Sequence, residues 1–157
     1  MERIKIIFAI FVSCLGFSSV LQSCTDKDDD PVIPAAKYVA GTYTGDMTSS
    51  VMGEESVFEN LMFEVTATDA STVSIKTSSF GNPPMKMPEM TIPGIMVSGE
   101  NGKYILTPTD FDLEVDGKKC SGTIQGSFLD KRITINFTLN YGAMPMPLIC
   151  SFTANKK

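Results

Sequence analysis

The feature that most constrains the fold is an alternation of apolar and polar residues with a period of two, which begins near Gly41 and continues through most of the chain. Such alternation is typical of β-strands that have one buried and one exposed face. Gly, Asn, Asp and Pro interrupt it at short intervals, and we identify no convincing helix after the N-terminal segment. The sequence therefore predicts an all-β domain.

The alternation also predicts which side chains of each strand point inward. A short strand is expected at residues 111–115, after which Asp116-Gly117 forms a turn or a bulge, and the inward side chains shift from odd to even positions. The predicted inward side chains are Tyr43, Gly45, Met47, Val57, Leu61, Phe63, Val65, Val73, Ile75, Thr77, Phe111, Leu113, Val115, Cys120, Ile124, Phe128, Ile133, Ile135, Phe137, Leu139, Tyr141, Leu148, Cys150 and Phe152.

The sequence predicts two different kinds of connection between strands, a tight turn and an irregular segment. The dipeptide Asn101-Gly102 predicts a tight hairpin between residues 94–98 and 103–107, because Asn and Gly supply the positive φ angles that such turns need. Residues 80–93 contain four prolines, and proline offers no N–H to a strand ladder, so we predict an irregular loop or an edge there.

Eight or nine short strands with short connections can stack as a sandwich or close into a barrel. We favour an antiparallel up-and-down barrel of about eight strands, because closure removes exposed edges. Such a barrel is either filled by side chains or holds one small ligand. Gly45, Gly122 and Gly126 would hollow one wall, whereas the residues that would fill the interior are Tyr43, Phe58 or Phe63, Tyr104, Phe128, Phe137 and Phe152.

The N-terminal segment predicts export and membrane attachment. Residues 1–23 show two early basic residues followed by an uncharged apolar run, which is the pattern of a signal peptide and is too short for a membrane span. Residues 21–24, Leu-Gln-Ser-Cys, resemble the lipobox of bacterial lipoproteins. We therefore predict that Cys24 carries acyl chains, which would attach the mature chain to a membrane.

Residues 24–37 form the next predicted segment, a flexible acidic tether, because its like charges repel and it buries nothing. Within it Lys27, Asp28, Asp29 and Asp30 resemble the acidic export signal that sends some lipoproteins of anaerobic gut bacteria to the cell surface. The alternative is a plain spacer. Residues 38–157 are then the barrel domain.

Composition excludes several kinds of function. The chain has no histidine, so Ser-His-Asp and Cys-His catalytic sites and imidazole metal sites are absent. Its formal net charge of −5 disfavours nucleic-acid binding, which needs clustered basic residues. We find no Gly-rich phosphate loop and no CxxC pair. We therefore expect no catalytic residue, no cofactor, no metal and no nucleic-acid partner.

Methionine is enriched in two loops, in MKMPEM at residues 85–90 and in MPM at 144–146. Thioethers suit Cu(I), but soft-metal sites usually recruit Cys or His as well. Methionine also lines adaptable apolar surfaces, and we favour a pocket lip. Another cluster, Asp110, Asp112, Glu114 and Asp116, has the spacing of one strand face, so we interpret it as a charged outer face rather than a catalytic or calcium site.

Cys120 and Cys150 are the remaining thiols of the predicted mature chain. If the strands pair as the turns suggest, Cys120 lies opposite Tyr141 and Cys150 lies opposite Leu139, with one strand between the two cysteines. Neighbouring strands are about 4.8 Å apart, so the Cα atoms should be roughly 9–10 Å apart, beyond the ~7 Å limit for a disulfide. We predict two separate, buried, reduced thiols.

The chain also resembles a known family. The lipoprotein signal, residues 41–45 (Gly-Thr-Tyr-Thr-Gly), residues 92–95 (Ile-Pro-Gly-Ile) and residues 101–104 (Asn-Gly-Lys-Tyr) look like those of the calycin-like, lipocalin-related lipoproteins of anaerobic gut bacteria. The resemblance covers about residues 38–155. It implies an eight-stranded up-and-down barrel and carries over no catalytic residue and no known ligand.

Two functional hypotheses remain open at the level of sequence. The first is a non-catalytic binding module, anchored to the outer membrane and exposed on the cell surface, that accepts a small apolar ligand in the barrel or at its mouth. The second is a surface interaction protein with a filled core that binds an envelope protein or a glycan through its loops. The candidate ligand-binding residues are Tyr43, Met85, Met87, Met90, Tyr104, Met144 and Met146.

Overall fold

The structure is a computed structural model that describes residues 33–157. The predicted signal peptide, Cys24 and the export signal at Lys27, Asp28, Asp29 and Asp30 lie outside the described residues.

Eight antiparallel strands close into a barrel in which each strand pairs with its neighbour in sequence and β1 pairs with β8. The predicted all-β up-and-down barrel is therefore confirmed, and the sandwich alternative is excluded. A one-turn helix precedes the strands. The elements are α1 (Ala35–Val39), β1 (Gly41–Val51), β2 (Glu54–Ala67), β3 (Thr72–Thr77), β4 (Met90–Glu100), β5 (Lys103–Val115), β6 (Lys118–Leu129), β7 (Arg132–Tyr141) and β8 (Leu148–Lys156).

Four of the hairpins are joined by two-residue turns with positive φ angles, at residues 52–53, 101–102, 116–117 and 130–131. The predicted Asn101-Gly102 turn has φ angles of 54° and 79° and joins β4 to β5. Asp116-Gly117 joins β5 to β6 in the same way, with φ angles of 50° and 71°. Such tight turns match the twist of the flanking strands. The hairpin predicted at Asn101-Gly102 is therefore confirmed, and of the turn or bulge expected at Asp116-Gly117 the structure has the turn.

Side chains fill the barrel interior. Tyr43, Phe63, Phe128 and Phe152 are among the largest fully buried side chains, and the rings of Phe63 and Phe152 stack with centroids 4.0 Å apart. Of the two interiors that the sequence left open, the structure therefore has the filled one.

The glycines do not hollow a wall of this interior. A Cβ at Gly122 would collide with the carbonyl oxygen of Thr138 and would lie 3.0 Å from Cζ of Phe111. Gly45 likewise meets the backbone of Thr153 across the β1–β8 pair. These glycines therefore permit close strand contacts rather than leaving space.

The prediction that the mature chain has no helix is wrong for one turn. Residues 35–39 form α1, in which Ala36 and Val39 are fully buried against the barrel. The helix is attached to the β2–β3 turn by a hydrogen bond from the N–H of Ala36 to the carbonyl oxygen of Ala70, 3.2 Å long. No helical periodicity is visible in residues 35–39, because a single turn is too short to show one. Part of the predicted tether therefore belongs to the folded domain.

Irregular pairing changes the predicted strands in three places. Asn60 has a positive φ angle of 56° at a register shift between β1 and β2, so Val57 is exposed instead of inward and Phe58 is half-buried. The predicted short strand at residues 111–115 is the second half of a continuous β5, which also has a shift in its pairing with β6. Strand β4 begins at Met90, so the last residues of the predicted loop, including Pro93, lie in a strand.

The cysteine prediction is correct, although its strand register is partly wrong. Cys120 lies opposite Tyr141 as predicted, whereas Cys150 lies opposite Phe137 instead of Leu139. Leu139 pairs with Leu148 instead, so the register between β7 and β8 is shifted by two residues from the predicted one. Both cysteines are buried and free.

Candidate binding site at the barrel mouth

The two ends of the barrel are built differently. We call one end the closed end; it consists of α1 and the turns at residues 68–71, 101–102 and 130–131. We call the other end the mouth; it consists of the turns at residues 52–53 and 116–117 and the longer connections at 78–89 and 142–147. Of the candidate ligand-binding residues, the five methionines Met85, Met87, Met90, Met144 and Met146 lie at the mouth, and the tyrosines Tyr43 and Tyr104 lie at the closed end.

At the closed end the tyrosines belong to an aromatic cluster that α1 covers. The hydroxyl of Tyr43 donates a hydrogen bond to the carbonyl oxygen of Val39, the last residue of α1. Tyr38 packs on Tyr104 with ring centroids 4.9 Å apart, and Phe128 contacts both Tyr38 and Tyr43 at 5.8 and 6.3 Å. Burial raises the pKa of Tyr43, so its hydroxyl stays protonated. The structure thus separates Tyr43 and Tyr104 from the methionine loops.

At the mouth the β3–β4 connection folds back on itself and covers the core. Phe80 and Met87 form an isolated β-bridge with two backbone hydrogen bonds of 3.1 and 2.8 Å, and both side chains are buried. The ring of Phe80 lies between Phe58 and Phe137, with centroid distances of 5.7 and 6.5 Å. We call residues 80–87 the mouth plug, because Phe80 and Met87 cover this end of the interior.

A groove of about 600 Å³ lies between the mouth plug and the β1–β2 hairpin. Such a volume lies within the range of small-ligand sites, which are mostly apolar with a few polar groups. Apolar side chains form much of its wall, namely Val51, Val57, Phe58, Phe80, Met85 and Leu148. The polar side chains at its edge are Ser49, Glu54, Ser56 and Asn82.

A second groove of about 410 Å³ lies where the two methionine-rich loops meet. Met85 and Met87 from one loop and Met144 from the other share its wall, together with Tyr141 and Lys118. The two loops that the sequence showed to be rich in methionine therefore lie next to each other. Met85 lines both grooves, and its side chain is 47% exposed.

The sulfur-containing side chains below the mouth form an apolar cluster. The Sγ atom of Cys120 lies 3.7 Å from the Sδ atom of Met90, and both residues are buried. Burial raises the pKa of Cys120, and it raises the pKa of Cys150 to about 11. Both thiols are therefore protonated at neutral pH and pack as small apolar groups. Among residues 33–157 no group of three or more Cys, Asp and Glu side chains is arranged to hold a metal ion.

The acidic cluster of β5 occupies the outer surface, as the sequence predicted. Asp110, Asp112, Glu114 and Asp116 are all exposed. Asp112 forms an ion pair with Lys119 on β6, with 2.9 Å between the carboxylate oxygen and Nζ. Exposed ion pairs of this kind contribute little to stability. The period-two spacing of the four carboxylates is explained by their position on the outer face of the strand, without a catalytic role.

Of the residues that line the main groove, sequence reasoning identified Met85 and missed the others. Val51, Phe58 and Leu148 were assigned to the core or to no site, and Phe80 was placed in a predicted irregular loop or edge. One signal could have identified Phe80, because a large aromatic residue next to the Gly and Pro of residues 81–84 has little reason to be there unless it is buried.

The barrel has a closed strand order, a helix that covers one end and grooves at the other end. It is a barrel of the calycin type. The family model described as "Calycin-like beta-barrel domain" matches residues 39–155. The chain therefore belongs to the calycin-like β-barrel family, which confirms the resemblance identified from its sequence.

One solved structure with the same fold is a crystal structure of a protein from Bacteroides fragilis NCTC 9343, described as a "putative outer membrane protein". It superposes with a TM-score of 0.70 at 20% sequence identity, over 79% of this chain and 53% of that one. The chain thus spans about half the length of that protein, and the likeness establishes the fold. No curated protein matches the chain significantly. Within residues 33–157, no helix is long and apolar enough to cross a membrane.

Proposed function

We propose that the protein is a non-catalytic binding module, attached to the bacterial outer membrane through acyl chains on Cys24, whose mouth groove binds a small apolar ligand. The observation that carries the proposal is the groove of about 600 Å³ with its largely apolar wall, beside an interior that side chains already fill. Ligand binding therefore belongs at the mouth rather than inside the barrel.

The chemistry of the groove suits a neutral or weakly polar ligand. Phe58 and Phe80 offer ring faces, and Met85 offers a flexible and polarizable side chain that adapts to irregular shapes. Ser49, Ser56 and Asn82 are available to orient a polar group of the ligand. The protonated thiols and the exposed carboxylates of β5 supply no activated nucleophile and no paired acid and base.

Attachment to the outer membrane is supported by the lipobox-like residues 21–24 and by the description of the structural neighbour as a putative outer membrane protein. Exposure on the cell surface is supported by the acidic run at Lys27, Asp28, Asp29 and Asp30. Both parts of the proposal can be tested separately from ligand binding.

Ligand binding is tested with the neutral apolar dye N-phenyl-1-naphthylamine, whose fluorescence rises when it leaves water. Met85→Gln should weaken dye binding about fivefold, because one buried apolar contact worth about 1 kcal/mol is lost. Met96→Gln is the matched control, since Met96 is 57% exposed on β4 and does not line the groove. Absence of dye binding, together with no small molecule co-purifying in native mass spectrometry, would refute the proposal.

A second candidate function, binding of an envelope protein, is favoured by exposed apolar side chains at the mouth. Met52 is 80% exposed, Val57 65% and Met146 44%. Exposed apolar clusters often mark interaction sites. A variant with Met52→Gln and Met146→Gln, neither of which lines the groove, should lose partners in a pull-down from envelope extracts while it keeps dye binding, and Met96→Gln should retain the partners. Retention of every partner by the double variant would exclude this function.

Membrane attachment is tested by Cys24→Ala. We expect this variant to be released from the membrane fraction or to remain unprocessed, because no other residue would carry the acyl chains. Unchanged fractionation would exclude the lipid anchor. Replacement of residues 27–30 by alanine should make the protein inaccessible to protease on intact cells, whereas continued access would favour a plain spacer.

A further inference from the structure

The closed end of the barrel carries most of the positive charge of the described chain. Of the ten Lys and Arg residues in 33–157, six lie on α1 or at the strand ends and turns of this end, whereas only three of the thirteen acidic residues do. The basic residues are Lys37, Lys103, Lys131, Arg132, Lys156 and Lys157. The acidic residues at the same end are Asp69, Glu100 and Asp130. The rest of the described chain is strongly acidic, so the barrel is electrically polarised along its length.

Most of these charges are free to meet a partner in solution. All of the basic residues except Lys156 are exposed. The ion pairs within residues 33–157 join Lys76 to Glu89 and Lys119 to Asp112, and neither lies at the closed end. Lys156 is held in place, because its Nζ atom donates to the carbonyl oxygen of Tyr38 at 2.6 Å.

Apolar side chains are exposed among these charges. Ile33 is 57% exposed, Ile105 60%, Leu129 49% and Tyr38 36%. Leu129 pairs with Lys103 across β5 and β6, so an apolar and a basic side chain stand side by side. A cleft of about 300 Å³ is lined by Tyr38, Phe128, Lys131, Lys156 and Lys157. Basic residues mixed with aliphatic and aromatic ones are typical of surfaces that lie at a membrane interface.

From this charge and exposure we infer that the closed end is a membrane-docking face that binds anionic lipid headgroups. The basic residues attract the negatively charged surface, and Ile33, Leu129 and Ile105 contact the boundary between headgroups and acyl chains. The mouth groove then faces away from the membrane and stays open to its ligand. This face is separate from the mouth and does not depend on what the groove binds.

The path of the chain agrees with this orientation. The described residues begin at Ile33, next to α1, and α1 is bonded to the β2–β3 turn at the closed end. Cys24 lies nine residues earlier, so an extended chain places any acyl group within roughly 30 Å of the closed end. If the proposed anchor is present, it brings this face, rather than the mouth, close to the bilayer.

The test uses the mature chain with Cys24→Ser, so that no acyl chain contributes and failure of the proposed anchor cannot affect the result. Its flotation is measured with vesicles of phosphatidylcholine alone and with vesicles that also contain phosphatidylglycerol. We expect binding to the anionic vesicles alone, which weakens as salt is added. A basic residue near an anionic membrane contributes about a fivefold gain in binding. The variant Lys131→Gln, Arg132→Gln, Lys157→Gln should therefore bind about a hundredfold more weakly.

The matched control neutralises three lysines at the mouth, Lys86→Gln, Lys118→Gln and Lys119→Gln, and should bind as strongly as the parent chain. Equal loss in both triple variants would overturn the inference, because binding would then follow net charge and not this face. Absence of binding by the parent chain would overturn it as well. If binding appears only after Asp26, Asp28, Asp29 and Asp30 are changed to Asn, the chain's own acidic segment neutralises the face, and the inference is again overturned.

Discussion

The closed end and the mouth of this barrel cover the same core by different means. At the closed end, α1 is joined to the barrel by the backbone hydrogen bond from Ala36 to Ala70 and by the bond from the Tyr43 hydroxyl to Val39, above a cluster of aromatic rings. At the mouth, a connection with several prolines closes on itself through one β-bridge, and Phe80 and Met87 reach the core from it. The closed end is thus a continuation of the packed fold, whereas the mouth plug is a local structure attached to it.

Because of this difference, the closed end contributes mainly to the stability of the domain, whereas the mouth provides the grooves proposed for binding. Elements with few regular hydrogen bonds and exposed apolar side chains open at lower free energy than the core does. The mouth has such elements and also has the grooves, so adaptation to a ligand would cost little there. The closed end can remain rigid and present a fixed charged surface.

The largest expected effect is loss of stability at the closed end. Phe128→Ala should lower the free energy of unfolding by about 4 kcal/mol, because a fully buried ring is removed from a packed cluster that cannot collapse. Urea unfolding followed by circular dichroism measures this change. The control is Leu129→Ala at the adjacent, 49% exposed position, which should change stability by less than about 1 kcal/mol.

Phe80→Ala should have a smaller effect, about 3 kcal/mol or less, because the mouth plug can settle into the space that the ring leaves. It should also enlarge the groove and change dye affinity, which Phe128→Ala should not. In the unfolding measurement, Met85→Ala at a 47% exposed position of the same plug controls for local sequence changes. If Phe80→Ala proves as destabilising as Phe128→Ala, the two ends are equally integral to the fold and the comparison fails.

Alkaline pH should destabilise the mouth half before the closed end. Burial raises the pKa of Cys150 from 9.0 to about 11, so the folded state keeps its proton while the unfolded state loses it. The resulting stability is fully present below about pH 9 and is lost as the pH rises toward 11, by at most about 2.7 kcal/mol in total. Cys150→Ala should flatten the profile in this window, as measured by urea unfolding across pH. Tyr43→Phe should flatten it only above about pH 10, since burial raises the pKa of that tyrosine from 10.0.

The smallest effect concerns a polar group near the mouth. Thr77 is fully buried, and its hydroxyl has no hydrogen-bond partner among the described residues. Thr77→Val should raise the melting temperature and stabilise the fold by about 1 kcal/mol, because a valine of similar shape removes an unsatisfied hydroxyl. Thr91→Val on the exposed face of β4 is the control. Destabilisation by Thr77→Val would mean that the hydroxyl is bonded, for instance to a buried water.

Much of the fold followed from the sequence because a period of two carries the burial pattern of each strand. The inward residues that were predicted for β6, β7 and β8 all lie on the correct face, and Asn101-Gly102 and Asp116-Gly117 indicated the turns before β5 and β6. These assignments depend only on residues that are close in the sequence, because side-chain alternation and turn preferences are properties of consecutive residues. The separation of Cys120 and Cys150 was also predictable, because it needs only strand order and the distance between strands.

The mouth groove is formed by residues that are distant in the sequence. Its position and its lining residues therefore became clear only from the tertiary structure. The register shift opposite Asp46 turned Val57 outward and Phe58 toward Phe80, and no local pattern marks such a bulge. The methionines were recognised as a group, but their separation from Tyr43 and Tyr104 arises from barrel closure, which places alternate connections at opposite ends. The same closure gathers basic residues from α1, β5, β7 and β8 onto one face, because strands remote in sequence then end side by side.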